Sequence, residues 1–266
     1  MKKTAYPIIL SISGHDPTGG AGIQADIETA AAIGCRATNV ITCLTVQDSC
    51  NVRQLIPVEA GLIDEQIRTL LADIPVKVIK TGLLGDLATA KVLTRLLDDH
   101  PNIPVVVDPV LTAGGGTELA DAELTAWIAR QLLPRATLAT PNSLEARRLA
   151  GASSLDDCAE ILVDTGCGAI LITGTHEPGG EVTNSLYLRE HSPVRSSWPR
   201  LEGSYHGSGC TLASSIAAFL ALGRSLRESV VHGQKFTWQA LAAGYRPGQG
   251  QFLPDRFSTR KTHRAR

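Results

Sequence analysis

The stretch His206-Gly207-Ser208-Gly209-Cys210-Thr211 runs straight into an apolar segment, residues 212–222, and its reading decides the fold. Three small residues in a row let the backbone turn tightly enough for several N–H groups to point at one spot. A helix starting at that turn adds the positive end of its dipole. The pattern predicts an anion pocket with a thiol at its rim, and so phosphate chemistry beside a sulfur. The competing reading is a plain turn followed by a cysteine that serves only as a small buried apolar residue.

The rest of the chain has to build a scaffold for that turn. Its 266 residues suffice for one large α/β domain or two small ones. Hydrophobic content of 43% against 19% charged residues provides a core and excludes wholesale disorder. Aromatic residues are only 4%, so that core is Ala, Val, Ile and Leu, as for helices packed on a parallel sheet. A formal charge of -1 gives no reason to expect a nucleic-acid partner. Residues 256–266 carry Arg256, Arg260, Lys261, Arg264 and Arg266 and read as a solvated, poorly ordered basic tail. Six cysteines without a CxxC pair fit free thiols in a reducing cytoplasm. The apolar run Ile8-Ile9-Leu10 is too short for a signal peptide and reads as a first strand. No apolar run approaches the ~20 residues that cross a bilayer, so no membrane partner is expected.

Short apolar runs ending in turn residues predict strands at 8–12, 39–46, 76–80, 105–107, 137–140 and 169–172. Helical patterns fill the gaps at 20–33, 60–71, 88–99, 120–133, 144–149 and 155–164. Alternation at intervals of about 30 residues is the mark of βαβ units and a doubly wound, mostly parallel sheet. Past residue 172 the pattern changes to antiparallel edge strands at 185–188 and 194–198, then closing helices at 211–222 and 226–243. No linker-like tract or repeat divides the chain, so a single domain is expected.

In such sheets ligands gather beyond the carboxyl ends of the strands, and residues there are the ones to read for chemistry. After the first strand, Gly20-Ala21-Gly22-Ile23-Gln24-Ala25 fits the dinucleotide pattern GxGxxA, and Asp48 ends the second strand near where a ribose-binding acid would lie. Against that rival reading, a six-residue loop containing Pro17 separates the strand from Gly20. No GxxxxGK[ST] P-loop occurs. Asp26 falls on the apolar face of the helix with Ala30 and Ile33, where a carboxylate is costly unless paired. Its partner is either a protein group or the N–H edge of a ligand. Gln47 ends strand two and offers donor and acceptor to a heterocycle, or faces water. Asp108 and Glu145, with Asn142 between, suit Mg²⁺ held partly through water, or else Asn142 and Glu145 simply cap a helix.

The block from Ser13 to Asp26, Asp108-Pro109-Val110, Thr140-Pro141-Asn142-Ser143-Leu144-Glu145-Ala146 and His206-Gly207-Ser208-Gly209-Cys210-Thr211 occur in this order. Together they resemble the hydroxymethylpyrimidine/phosphomethylpyrimidine kinases of thiamine biosynthesis, a branch of the ribokinase-like fold, over nearly the whole chain. That resemblance implies a three-layer α/β/α architecture and ATP-dependent phosphorylation of 4-amino-5-hydroxymethyl-2-methylpyrimidine, usually also of its monophosphate. It implies that Asp26 and Gln47 hold the pyrimidine edge, with Gly14, Leu83 and Val110 lining the pocket. Gly207, Ser208 and Gly209 would cradle the transferred phosphoryl group, with Cys210 as the base, its pKa lowered by the helix terminus. Asp108, Asn142, Glu145, Thr173 and Thr211 would serve ATP, and Asp108 and Glu145 the Mg²⁺. A homodimer is implied, with material for its interface in the edge strands after Thr183, and Gly114-Gly115-Gly116 reads as a flap.

The sequence departs from the family pattern at places that matter for charge. Ala113-Gly114-Gly115-Gly116 stands where the family has Ala-Lys-Ser-Gly, and Thr173-Gly174-Thr175-His176 where it has Lys-Gly-Gly-His. Two lysines that could meet phosphates are missing, and Arg246 is the candidate to replace them. Phosphorylation of the alcohol is therefore expected to outpace that of the monophosphate. Related readings are a pyridoxal or pyridoxine kinase on the same fold, and a non-catalytic nucleotide- or ligand-binding protein.

Overall fold

A computed structural model describes residues 6–258. Its strands are β1 (Ile8–His15), β2 (Arg36–Gln47), β3 (Val52–Pro57), β4 (Val76–Thr81), β5 (Val105–Val107), β6 (Leu138–Ala139), β7 (Ala169–Ile172), β8 (Glu181–Leu188) and β9 (Val194–Pro199). They form one sheet in the order β3-β2-β1-β4-β5-β6-β7-β8-β9. The strands from β2 to β7 in that order run parallel, while β3, β8 and β9 pair antiparallel at the two edges. The order reverses between β1 and β4, which opens a crevice at the carboxyl ends of those strands.

Among the described residues eight α-helices join the strands: α1 (Gly22–Ile33), α2 (Ala60–Asp73), α3 (Leu87–Asp99), α4 (Ala122–Trp127), α5 (Ser143–Ala150), α6 (Leu155–Asp164), α7 (Ser208–Ala221) and α8 (Leu226–Ala242). They make a layer on each side of the sheet. Alternation along the strands decides which side chain meets which layer. Leu10, Ile12, Ile79, Val105 and Val107 pack in the core under α2 to α6. Ile9, Val78, Val106 and Leu138 pack on the other face against Ala30 of α1, Ile216 and Ala217 of α7 and Val230 of α8. The same alternation puts Ser11 and Lys80, two residues on from Ile9 and Val78, toward α1 and α7. Both are buried.

The expected three-layer architecture is present, and the differences are instructive. Strand β3 falls in residues left as connection, because Arg53, Gln54 and Pro57 hide its pattern. The helix expected over 120–133 breaks after Trp127 into a π turn, Ile128–Leu132, and a 3-10 turn, Leu133–Arg135, where Pro134 cannot donate. Arg256, read as the start of a solvated tail, is fully buried: its guanidinium pairs with Glu28 at 3.0 Å. Residues 259–266 of that expected tail lie outside the described residues.

Candidate active site

Two glycine turns interlock above the crevice. Gly22 has φ +58°, and a Cβ there would lie 2.2 Å from the Gly14 carbonyl oxygen. Gly207 has φ +79°, and a Cβ there would lie 1.7 Å from the Gly20 oxygen. Only glycine satisfies both the left-handed backbone and the close approach. The two glycine motifs therefore form a single structure, in which the N-termini of α1 and α7 converge. Helices α3, α4, α5, α6 and α8 are each capped by a side chain, whereas the N-cap of α7 is Gly207 and carries no side-chain cap. The amides of its first turn have no partner within the helix.

Loop one is stiffened by Asp16. Its carboxylate accepts from the N–H groups of Thr18 and Ala21, both at 2.8 Å, and from His206 Nε2 at 2.8 Å. Burial alone would raise the Asp16 pKa, but the His206 bond and charge outweigh it and hold the carboxyl well below the usual range. This also counts against the dinucleotide pattern: the amide of Ala21, the residue that opens α1, already donates to a carboxylate whose charge would repel a pyrophosphate there.

A cavity of about 690 Å³ runs from this junction across the strand ends. It is lined by Gly14, Gln47, Leu83 and Val110 at one end and by Asp108, Asn142, Glu145 and Thr173 further along, with Gly207, Ser208, Gly209 and Cys210 between helix and sheet. At the far side Trp198 and Trp238 stack with ring centroids 6.2 Å apart, and Trp198 Nε1 donates to Gln234 Oε1 at 3.1 Å. Gly114-Gly115-Gly116 belongs to a small hairpin closed by a Thr112–Glu118 bridge, and Gly114 and Gly116 face the cavity.

Asp108 faces the first turn of α7, where a Cβ on Gly209 would meet its Oδ1 at 3.5 Å. Its Oδ2 is buried with no hydrogen-bond partner. Burial raises the Asp108 pKa, against the pull of Lys80. Glu145 accepts from Asn142 N at 2.9 Å and Leu111 N at 3.3 Å, and burial together with the Asp108 charge pushes it up to about 8. Asn142 and Glu145 form a capping box on α5, so the capping reading holds while both side chains also face the cavity. Two crowded carboxyls, one with an orphaned oxygen, fit a hard divalent cation that keeps most of its waters.

The family model described as phosphomethylpyrimidine kinase matches residues 16–255. The chain belongs to that family. The hydroxymethylpyrimidine/phosphomethylpyrimidine kinase of Rhizobium meliloti is 36% identical over 92% of this chain and 94% of its own. The chain spans only about half the length of other curated relatives it matches, 50%, 48% and 46%. Among solved structures, the ADP complex of Bacillus subtilis pyridoxal kinase superposes with a TM-score of 0.89 at 27% identity, over 96% of this chain and 99% of that one. Phosphomethylpyrimidine kinase from Clostridium difficile gives 0.76 at 30% identity, over 87% and 97%.

Against what the resemblance to this kinase family assigns, three positions differ. Asp26 does not line the cavity. It is buried beneath it, accepting from Ser11 Oγ at 2.5 Å, from Ser214 Oγ, and from Lys80 Nζ at 2.9 Å. The costly carboxylate is paired inside the protein, and nothing is left for a pyrimidine. Thr211 also lies outside the cavity: its hydroxyl donates to Gly207 O at 2.7 Å and accepts from Arg256 Nε at 3.0 Å. The Cys210 thiol is pushed up to about 12, first by burial and then by the Asp108 charge, so the helix terminus fails to lower it. Arg246 does not replace the absent lysines either, since it is exposed and donates to the carbonyls of Gln249 and Gly250.

Sequence reading missed Lys80 and Arg256 as parts of this centre, and gave the His206 side chain no role although it opens the quoted stretch. Lys80 has no exposed surface, and burial would lower its pKa, but Asp26 outweighs burial and raises it. Its place at the end of an apolar strand was the available signal.

Proposed function

We propose that this protein transfers the γ-phosphoryl group of ATP to the hydroxymethyl group of 4-amino-5-hydroxymethyl-2-methylpyrimidine, as a step in thiamine diphosphate biosynthesis. The observation that carries the reading is the junction of the two glycine turns, where uncapped amides of α7 and the Cys210 thiol face one cavity. Gln47, Gly14, Leu83 and Val110 form the end that takes the flat heterocycle. Gln47 offers donor and acceptor to its aminopyrimidine edge, while Asp26 is paired below the cavity.

Phosphoryl transfer has a loose transition state, so positioning and charge neutralisation supply most of the rate. The first-turn amides of α7 hold the migrating group, while Asp108 and Glu145 are the residues that would hold Mg²⁺. When bound, the ion screens the phosphate oxygens and steadies the leaving group. A neutral thiol is no ready base, but the Asp108 carboxylate lies close enough for its charge to act on the Cys210 thiol, which makes it the acceptor for the thiol proton. The alcohol proton passes to Sγ as the thiol proton passes to Asp108, so the sulfur never becomes a free thiolate.

Of the lining residues from β1, β2 and the loops that follow β4 and β5, only His15 can carry positive charge. A phosphate already on the substrate would find little to neutralise it there, which favours the alcohol over the monophosphate. The second reading is pyridoxal phosphorylation, favoured by the high structural likeness to the Bacillus subtilis enzyme. The test is a panel of the pyrimidine alcohol, its monophosphate and pyridoxal with ATP and Mg²⁺. Turnover of pyridoxal at tenfold higher kcat/KM than the pyrimidine would reverse the order of the two readings. Turnover of none would remove both and leave a ligand-binding protein.

We read the chain as one kinase domain. Free cysteines fit a reducing, cytoplasmic setting. No helix among the described residues is long and apolar enough to cross a membrane. For the homodimer, exposed apolar side chains lie on β9 at Val194, among the edge strands expected, and on β2 and β3 at Leu44, Val46 and Ile56.

A further inference from the structure

We infer that Arg256 is a positioning residue for the phosphoryl cradle, a buried cation behind the glycine turns that supplies the charge the absent lysines do not. This rests on the kinase reading above. The segment leading to it is laid across the site: Leu253 pairs with Tyr245, Phe252 with Tyr205, and Gly250 N donates to Ser49 Oγ at 3.0 Å. Arg256 then turns inward and is 2% exposed. Its Nη1 donates to Gly19 O at 3.4 Å and its Nη2 to Gly20 O, both in the loop before α1. Its Nε donates to Thr211 Oγ1, which itself donates to Gly207 O.

The guanidinium thus ties both glycine turns together, and the planar fork makes that geometry possible. It also lies directly behind the cradle: a Cβ on Gly207 would be 3.1 Å from Nη2. Its counter-charge, Glu28, binds Nη1 and keeps a partly exposed side chain, so that carboxylate is hydrated. A charge at that position adds to the dipole of α7 without touching the ligand. A purely structural strap would need the four bonds but no particular effect on anion affinity.

The experiment compares full-length Arg256→Met, Arg256→Lys and Glu28→Gln with the parent chain. Melting temperature, ADP affinity by calorimetry, and KM for the pyrimidine alcohol are measured for each. Arg256→Met is expected to weaken ADP binding at least tenfold and leave the pyrimidine KM within threefold. Arg256→Lys, which keeps the charge and loses the fork, should fall between. Glu28→Gln should bind ADP within twofold of the parent or more tightly. Folded Arg256→Met with parental ADP affinity would overturn the inference. So would Glu28→Gln losing ADP affinity as severely as Arg256→Lys, an outcome that stays decisive if Arg256→Met does not fold. A parent chain that neither binds ADP nor phosphorylates the alcohol would overturn the kinase reading and this role with it.

Discussion

Asp26→Asn should be one of the most damaging single substitutions outside the cavity, and for a reason opposite to the one its sequence position implies. Asp26 is 2% exposed and Lys80 is not exposed at all, with Nζ 2.9 Å and 3.0 Å from the two carboxylate oxygens. The serine hydroxyls of Ser11 and Ser214 can rotate to meet an amide, but an ammonium cannot accept. The substitution therefore strands a buried cation, which costs about 3–5 kcal/mol where such pairs have been broken. Unfolding entropy of about 2.1 cal/mol/K per residue converts that to a fall in Tm of roughly 5–9 °C for a chain of this length. Urea unfolding followed by circular dichroism gives the free energy, and the double variant Asp26→Asn with Lys80→Met should recover most of it. If Asp26 held the substrate, the single variant would keep its stability and lose pyrimidine affinity instead. A loss below about 1 kcal/mol together with a tenfold rise in KM would refute the reasoning.

Other expectations follow from the same geometry. Cys210→Ala should lower kcat by about 10²-fold, in the range for a proton-transfer group, with a much smaller change in KM, and steady-state kinetics with unchanged kcat would take the sulfur out of the mechanism. Gly207→Ala should abolish measurable ADP binding, because a Cβ 1.7 Å from the Gly20 oxygen forces the two turns apart. Asp16 carries a depressed pKa in the fold, so its stabilisation is complete above its ordinary value of 3.8 and is lost as pH falls below it. The stability gap between the parent and Asp16→Asn should narrow on going from pH 6 to pH 3, and a gap that widens would contradict the pairing with His206. Chelation by EDTA should stop turnover and Mg²⁺ should restore it, while Asp108→Asn should not respond to added metal.

Local pattern made much of this molecule legible. Helix α6 and strand β7 begin and end where apolar periodicity places them, because neither depends on distant partners. The glycines of both turns announced themselves through residue type, since their backbone angles admit little else. What stayed hidden was pairing across the chain. Asp26 meets a lysine 54 positions later, and Arg256 meets oxygens more than two hundred positions earlier. Nothing in a window of ten or twenty residues distinguishes such a buried ion from a surface one. The thiol was misjudged for a related reason: a helix terminus is visible in sequence, but the burial that opposes it, and then the Asp108 carboxylate after β5, come from packing against distant segments. Strand β3 was missed because its composition is that of an edge, with charge and proline where a central strand would have valine.

The neutral state of Cys210 has a consequence for chemical reactivity. Alkylating and oxidising agents attack thiolates, and a buried sulfur held in its protonated form offers them almost none. Cys50, exposed on the surface, is the thiol such reagents should find first. A sulfur at the centre of the site is thereby expected to persist under peroxide and electrophiles that would consume a thiolate.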